Sequence, residues 1–165
     1  MLVPDELPNE YYVEIGRVTA KWSLLEGMVD ICLIKLAGKD ITEGRSMVIF
    51  NHMAFPMKLD VMGALVSELL PNYPRLSTYR GVQQSLKRAQ EGRNMVVHGR
   101  WAVDDTSGEV QVSRLSARGK LKASTTPFSV AEIRAVSDLI VKASQELFFL
   151  VAKAGTTNSP PHSGQ

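Results

Sequence analysis

The sequence predicts a mainly α protein: a helical bundle of about five helices, with a small antiparallel β-hairpin or sheet inserted before the last helix. Apolar residues recur at intervals of three and four along most of the 165-residue chain, and this is the period of one helix face. After residue 99 the pattern changes to alternation, which is the period of a strand. The composition, 44% hydrophobic and 22% charged, is that of an ordinary globular domain. We therefore expect one domain over residues 1–155.

The first predicted helix runs from about Glu10 to Ala37, after a lead in which Pro4 and Pro8 oppose helix. Gly38 provides its end. The apolar residues that keep three-four spacing along it are Ile15, Val18, Trp22, Leu25, Val29, Cys32 and Leu36.

Two residues of this helix have a chemistry of their own. Glu26 lies at the edge of the stripe, where it is either a rim carboxylate that reaches water or a supporting acidic group for a site. Cys32 is the only cysteine, so an internal disulfide is excluded, and its position on the stripe predicts a buried thiol.

The middle of the chain predicts three further helices. Asp40 and Glu43 have the spacing of a capping box that opens a short helix through about Phe50. Pro56 suits the first turn of a third helix. The fourth is expected from about Pro74 to His98.

Beyond Gly99 the alternating residues predict two or three short strands, separated by the turn-rich runs DDTSG and SARG. Ser129 and Glu132 then form a second capping box, which opens a last helix that continues to about Lys153. Residues 156–165 are polar and rich in Pro, Ser and Gly, so we expect a disordered tail.

The run GRNMVVHGRW, residues 92–101, is the most informative stretch. Arg93 falls near the middle of an apolar stripe formed by Tyr79, Val82, Leu86, Ala89 and Val96. A guanidinium has no neutral form, so at this position it must meet a carboxylate, backbone carbonyls, a subunit boundary or a bound anion. Asn94 and His98 share a face, whereas Arg93 and His98 are about 140° apart on a straight helix. A helix that ends at Gly99, or two such helices that meet across a two-fold axis, can bring them together.

Charge is unevenly distributed. Between Arg75 and Lys122 there are ten Lys and Arg against four Asp and Glu, although the whole chain has a net charge of only +2. This asymmetry favours a polyanionic partner, and the alternative is a solvated basic face without a ligand. The candidate binding residues are Arg80, Lys87, Arg88, Arg100, Arg114 and Lys120.

Several classes of site have no counterpart in the sequence. We find no phosphate-binding glycine loop, no CxxC pair, no di-iron Glu-x-x-His pair and no GxSxG elbow, so we expect neither a metal nor a nucleotide cofactor. The chain shows no basic, apolar leader and no run of 18 apolar residues. We expect a cytoplasmic protein without a membrane span.

The run from Arg93 to His98 resembles the Rx4-6H motif of the HEPN superfamily, in the form with a polar residue after the arginine. The order of elements is also similar: a long first helix with WSLLE, intermediate helices, and the motif at the end of a late helix. The chain looks like a small bacterial member in which RNxxxHGxW precedes a short hairpin.

The resemblance implies a homodimer with two facing motifs and metal-independent RNA cleavage, in which the ribose 2′-OH attacks the adjacent phosphate and leaves a 2′,3′-cyclic phosphate. His98 would then be the acid-base group, Arg93 would hold the phosphate, and Asn94 would orient His98 or contact the ribose. The resemblance leaves open a toxin-like role with an antitoxin-like protein as partner, and the family contains members that only bind or only dimerise. The alternative function is therefore a catalytically inactive HEPN-like dimer.

Overall fold

The computed structural model describes residues 7–39, 44–116 and 122–152. Within them are five α-helices and one three-stranded antiparallel sheet that precedes the last helix, which confirms the predicted fold class. The helices are α1 (Asn9–Leu36), α2 (Gly44–Asn51), α3 (Phe55–Leu69), α4 (Tyr79–His98) and α5 (Val130–Ala152). The strands are β1 (Arg100–Val103), β2 (Val110–Ser116) and β3 (Lys122–Pro127).

The fourth helix begins later than the sequence predicts. Residues Pro74–Thr78 form a 3-10 turn, and α4 starts at Tyr79. The backbone N–H of Tyr79 donates to the Leu76 carbonyl, three residues back, which is the tighter 3-10 pattern. The predicted capping box at residues 40–43, the SARG turn and the tail lie outside the described residues.

Residue contacts divide the chain into two compact units, each built from two stretches. The first unit comprises Met1–Leu25 and Ser85–Lys142, and the second comprises Glu26–Gln84 and Ala143–Gln165. The expectation of one domain stays a prediction. None of the described helices has both the length and the apolar composition needed to cross a lipid bilayer.

The first unit has its core where the helix periodicity predicts it. The buried side chains come from α1, α4, the sheet and α5, and include Val18, Trp22, Leu25, Leu86, Ala89, Val96, Val110, Val112, Ile133, Val136 and Ile140. The sheet has the order β1-β2-β3, with Arg100 opposite Ser113 and Ser113 opposite Thr125. One cross-strand row therefore runs through Arg100, Ser113 and Thr125.

The β1–β2 hairpin is closed by Asp104. Its Oδ1 accepts hydrogen bonds from the backbone N–H groups of Thr106 and Ser107, each at 2.9 Å, and these bonds hold the pKa of the carboxyl below its usual value. Gly108 has φ 71°, in the left-handed region where a side chain is strained. The predicted DDTSG turn is confirmed.

The second unit buries several polar groups within an apolar core. The Nζ of Lys58 lies 2.6 Å from Oδ1 of Asp30, and both side chains are buried. This ion pair is close, yet Oδ1 makes no hydrogen bond of regular geometry. The hydroxyl of Tyr79 donates to the Leu59 carbonyl at 3.0 Å, and burial raises its pKa to about 12. Burial likewise raises the pKa of the Cys32 thiol to about 11, which confirms the predicted buried thiol.

Glu14 gives the first unit a pH-dependent contact. Its buried Oε1 accepts hydrogen bonds from Arg134 Nε at 2.8 Å and from Arg17 Nη1 at 3.0 Å. The bond from Arg134 is the main reason that the pKa of this carboxyl lies below its usual value of 4.5. A carboxyl with a depressed pKa in the folded state stabilises that state above its unfolded pKa, and this stability is lost as pH falls through the folded pKa.

We therefore expect Glu14→Gln to lower the free energy of unfolding at pH 7 and to flatten its decrease below about pH 4.5. Urea unfolding of both proteins at neutral and acid pH measures this. An equally steep acid decrease in the variant would contradict the assignment.

Candidate functional site

Helix α4 ends at His98 because the following residues satisfy the carbonyls of its last turn. The backbone N–H of Gly99 donates to the Met95 carbonyl at 3.1 Å, and the indole Nε1 of Trp101 donates to the Val96 carbonyl at 2.9 Å. A Cβ at position 99 would collide with the Met95 carbonyl oxygen and with a methyl group of Val112. Only glycine fits between the helix and the sheet at this point.

Trp101 holds the end of the helix against its surroundings. Its ring packs edge-on against Tyr11, with centroids 6.0 Å apart, and against Phe128 at 5.7 Å. The same side chain therefore contacts α1, α4 and the segment before α5. This packing holds in place the end of α4, which carries His98.

Arg93, Asn94 and His98 form one cluster. Nη1 of Arg93 donates to Asn94 Oδ1 at 3.1 Å and lies 2.7 Å from His98 Nε2. The guanidinium carbon lies 5.5 Å from the centroid of the Trp22 ring, within the range of a cation–π contact.

The contact with Arg93 involves the Nε2 atom of the His98 ring. A guanidinium has only donors, so this contact is a hydrogen bond in the tautomer whose Nε2 accepts and whose ring proton is on Nδ1. In that tautomer the Nε2 lone pair faces Arg93.

Within one chain, Arg93 contacts an amide oxygen, an imidazole nitrogen and an aromatic face. The expected subunit boundary or bound anion at Arg93 stays a prediction. The long arginine side chain also spans the 140° that separate positions 93 and 98. The helix end is thus sufficient to bring both side chains together within one chain.

The guanidinium retains unused hydrogen-bonding capacity. Nε of Arg93 is buried and has no hydrogen-bond partner among the described residues, and the contacts of the guanidinium with Asn94 and His98 both use Nη1. A buried unsatisfied donor costs about 1–3 kcal/mol. The cluster therefore leaves part of the hydrogen-bonding capacity of Arg93 unused.

A surface pocket of about 380 Å³ opens beside this cluster. It is lined by Asn94 and His98 from α4, Arg100 from β1, and Ser113 and Arg114 from β2. His98, Arg100 and Arg114 are exposed, and Asn94 and Ser113 are half-buried. Larger cavities lie elsewhere, but this one combines two arginines with a histidine.

The remaining predicted binding residues do not line this pocket. Lys87 and Arg88 are exposed on α4 in the first unit, and Arg80 is exposed in the second unit. Glu26 is half-buried and belongs to the second unit. Lys120 lies outside the described residues. Of the six basic candidates, the pocket contains Arg100 and Arg114.

Two residues of the site were missed in the sequence. Trp22 was assigned to the core stripe, and it also presents its ring to Arg93. Ser113 carries no motif, but its alternation with Val112 in the predicted strand places it on the face opposite the core. That alternation was the available evidence for Ser113, whereas the Trp22 contact joins residues 71 positions apart and leaves no local pattern.

Among the described residues, no group of three or more His, Cys, Asp or Glu side chains is arranged to hold a metal ion. In comparisons of the chain with protein-family models, curated proteins and solved structures, nothing matches.

Proposed function

We propose that this protein is a HEPN-like, metal-independent endoribonuclease that acts as a homodimer. The observation that carries the proposal is the 2.7 Å contact between Arg93 Nη1 and His98 Nε2 at the edge of a pocket with two further arginines. An arginine and a histidine in contact supply the two functions that this reaction needs: charge stabilisation at a phosphate and proton transfer.

The reaction begins when a phosphodiester enters the pocket. A phosphate carries negative charge and can accept two parallel hydrogen bonds from the guanidinium fork, so the phosphate competes with the His98 ring nitrogen for Arg93. When the guanidinium turns to the phosphate, the lone pair on Nε2 becomes available. Asn94 remains beside the ring to orient it or to contact the ribose.

His98 then accepts the proton of the ribose 2′-OH as the 2′-oxygen attacks phosphorus. The bond from phosphorus to the 5′-oxygen breaks, and the imidazolium returns its proton to that oxygen. Arg93 stabilises the negative charge that grows on the non-bridging oxygens. The products are a 2′,3′-cyclic phosphate and a 5′-hydroxyl, so atoms and protons balance.

The proposal is tested with purified protein and a labelled single-stranded RNA in excess EDTA. We expect cleavage, because the groups that act are side chains and the attacking hydroxyl belongs to the substrate. The same sequence with 2′-O-methyl riboses should stay intact. Absence of cleavage in buffers with and without divalent cations would replace this proposal by the RNA-binding or partner-binding dimer.

Apolar residues on the outer face of α1 support the homodimer. Val13 is 58% exposed and Leu24 is 75% exposed. The two positions are eleven residues apart, so they lie on one helix face within about 20°. Exposed apolar surface is the kind that another protein covers when it is contiguous, and we assign Val13 and Leu24 to the dimer contact.

We expect Leu24→Glu to convert the dimer to a monomer, because it places a charge on an apolar surface. Thr19→Glu is the matched control: it adds the same charge at an exposed α1 position about 140° away from position 24. Light scattering at micromolar concentration measures the mass of all three proteins. A monomeric wild type, or a Leu24→Glu variant that stays dimeric, would contradict this surface.

A further inference from the structure

One wall of the pocket is not used by the proposed reaction. Arg100, Ser113 and Arg114 line the pocket from the sheet, and Asn94 and His98 line it from α4. Neither arginine forms an ion pair with a described residue, and both are exposed. Two positive charges without an ion-pair partner in the described part of the chain, at the mouth of a small pocket, favour an anionic ligand.

Chain geometry places this wall next to the His98 side of the pocket. Arg100 follows His98 by two residues, so their Cα atoms are at most about 7 Å apart. Antiparallel pairing puts Ser113 opposite Arg100, with Cα atoms about 4.5–5.5 Å apart. Arg114 is the next residue along β2, so its side chain starts from the other face of the strand, and its length lets it line the same pocket. All three residues therefore lie close to His98 in one pocket.

Ser113 adds a hydroxyl to the two charges. Its Oγ lies 2.8 Å from Thr125 Oγ1 on β3, so the row across the sheet continues from an arginine into two hydroxyl groups. Arginine and hydroxyl side chains are the groups that most often contact phosphate oxygens in nucleic-acid complexes.

The α4 side of the pocket carries a negative charge close to the motif. Glu91 is exposed one turn before Asn94 on the same helix face, and its carboxylate repels a phosphate. The positive charge of Lys87 lies one turn farther from the pocket on that face. The sheet side, with its two arginines, is therefore the more favourable side for an adjacent phosphate.

We propose that Arg100, Ser113 and Arg114 form a subsite for the phosphodiester next to the one held at Arg93 and His98. This inference rests on the proposed function in that it takes Arg93 and His98 as the first phosphate position. The preferred ligand is then single-stranded RNA with at least two successive phosphodiesters, bound internally and not at a terminal nucleotide. A pocket of about 380 Å³ is at the small end of the range of about 300–1,000 Å³ for ligand sites, which suits a nucleotide segment.

Binding of short 2′-O-methyl RNA tests the subsite, because this probe cannot be cleaved through its 2′-oxygen. A dinucleotide carries a single phosphodiester, and a tetranucleotide also reaches the subsite. In fluorescence anisotropy we expect Arg100→Ala and Arg114→Ala each to weaken tetranucleotide binding roughly tenfold and to leave dinucleotide binding unchanged. The double variant should lower the salt slope for the tetranucleotide by about 0.7.

Two further variants distinguish binding at the subsite from non-specific electrostatic attraction of RNA to the protein surface. Arg45→Ala removes an exposed arginine on α2 in the second unit, and it should leave both probes bound as in the wild type. Ser113→Glu introduces a carboxylate into the wall and should abolish the advantage of the tetranucleotide. Thermal unfolding followed by circular dichroism verifies that each variant is folded.

The outcomes distinguish this inference from the proposed function. If the subsite exists but the protein is no nuclease, the length dependence and its loss in the arginine variants remain while RNA stays uncut. If the protein cleaves RNA but Arg100→Ala and Arg114→Ala bind both probes as the wild type does, the subsite is wrong. An equal loss for dinucleotide and tetranucleotide would also overturn it, because the arginines would then serve the first phosphate.

Discussion

His98→Ala is expected to lower RNA cleavage by roughly 10²-fold or more, since proton transfer by a positioned side chain contributes about 10²–10⁴-fold. The residue is exposed and makes its described polar contact with Arg93, so the variant should fold. Cleavage rates at saturating RNA, compared under single-turnover conditions, measure the effect. A variant that cuts as fast as the wild type would show that the histidine is not the acid-base group.

His98→Gln separates the two roles of this side chain. Its amide oxygen can still accept a hydrogen bond from Arg93, but the amide cannot carry a proton at neutral pH. If His98 transfers a proton, this variant should be as slow as His98→Ala. Recovery of wild-type cleavage would mean that His98 only positions Arg93.

Arg93→Ala should lower cleavage by a similar factor of roughly 10² or more, because removal of one preorganised donor to an oxyanion has effects of this size. The substitution also removes the contact with the Trp22 ring, so its stability must be measured alongside. Arg93→Lys keeps the charge and loses the planar fork, and we expect it to recover only part of the rate.

Lys58→Met is expected to destabilise the protein by about 3–5 kcal/mol, the range seen when one partner of a buried ion pair is removed. The side chains of Lys58 and Asp30 are 5% and 7% exposed, so the carboxylate left behind has little access to water. Methionine preserves most of the apolar stem, which limits the cavity term. Urea unfolding measures the loss in free energy of unfolding, and the dependence of that free energy on urea concentration should be the same in both proteins.

The matched control is the double variant Lys58→Met with Asp30→Leu. It replaces both charges by apolar side chains of similar size, and such replacement of a buried ion pair is often close to neutral in stability. We therefore expect it to regain most of the free energy lost in Lys58→Met. If the double variant is as unstable as the single one, the loss comes from packing and not from the unpaired charge.

Helix positions and core faces were predictable because they depend on local periodicity. Val18, Trp22 and Leu25 on α1, and Ile133 and Ile140 on α5, are all buried as their spacing predicts. The capping box at α5 also forms: the Ser129 N–H donates to Glu132 Oε2 at 2.6 Å, and Glu132 N–H donates to Ser129 Oγ at 3.3 Å. Each of these features uses residues within a few positions of one another.

The site was predictable only in part. The motif identified Arg93, Asn94 and His98, but the sequence could not show that one chain brings them together, because that depends on how the arginine side chain extends along the helix end. The buried Lys58–Asp30 pair and the contact between Trp22 and Arg93 could not be predicted for a related reason. Each joins residues far apart in the chain, and no spacing rule relates them. Contacts of that kind follow from packing and not from local pattern.

The chemistry of the product ends tests the central claim most directly. Mass spectrometry of fragments from RNA cut in EDTA, by wild type and by His98→Ala in parallel, identifies which oxygen attacked phosphorus. The mechanism through the 2′-OH predicts a 2′,3′-cyclic phosphate on one fragment and a 5′-hydroxyl on the other, with both greatly reduced in His98→Ala. Fragments with 5′-phosphate and 3′-hydroxyl ends would mean that water attacked instead, and would contradict the account.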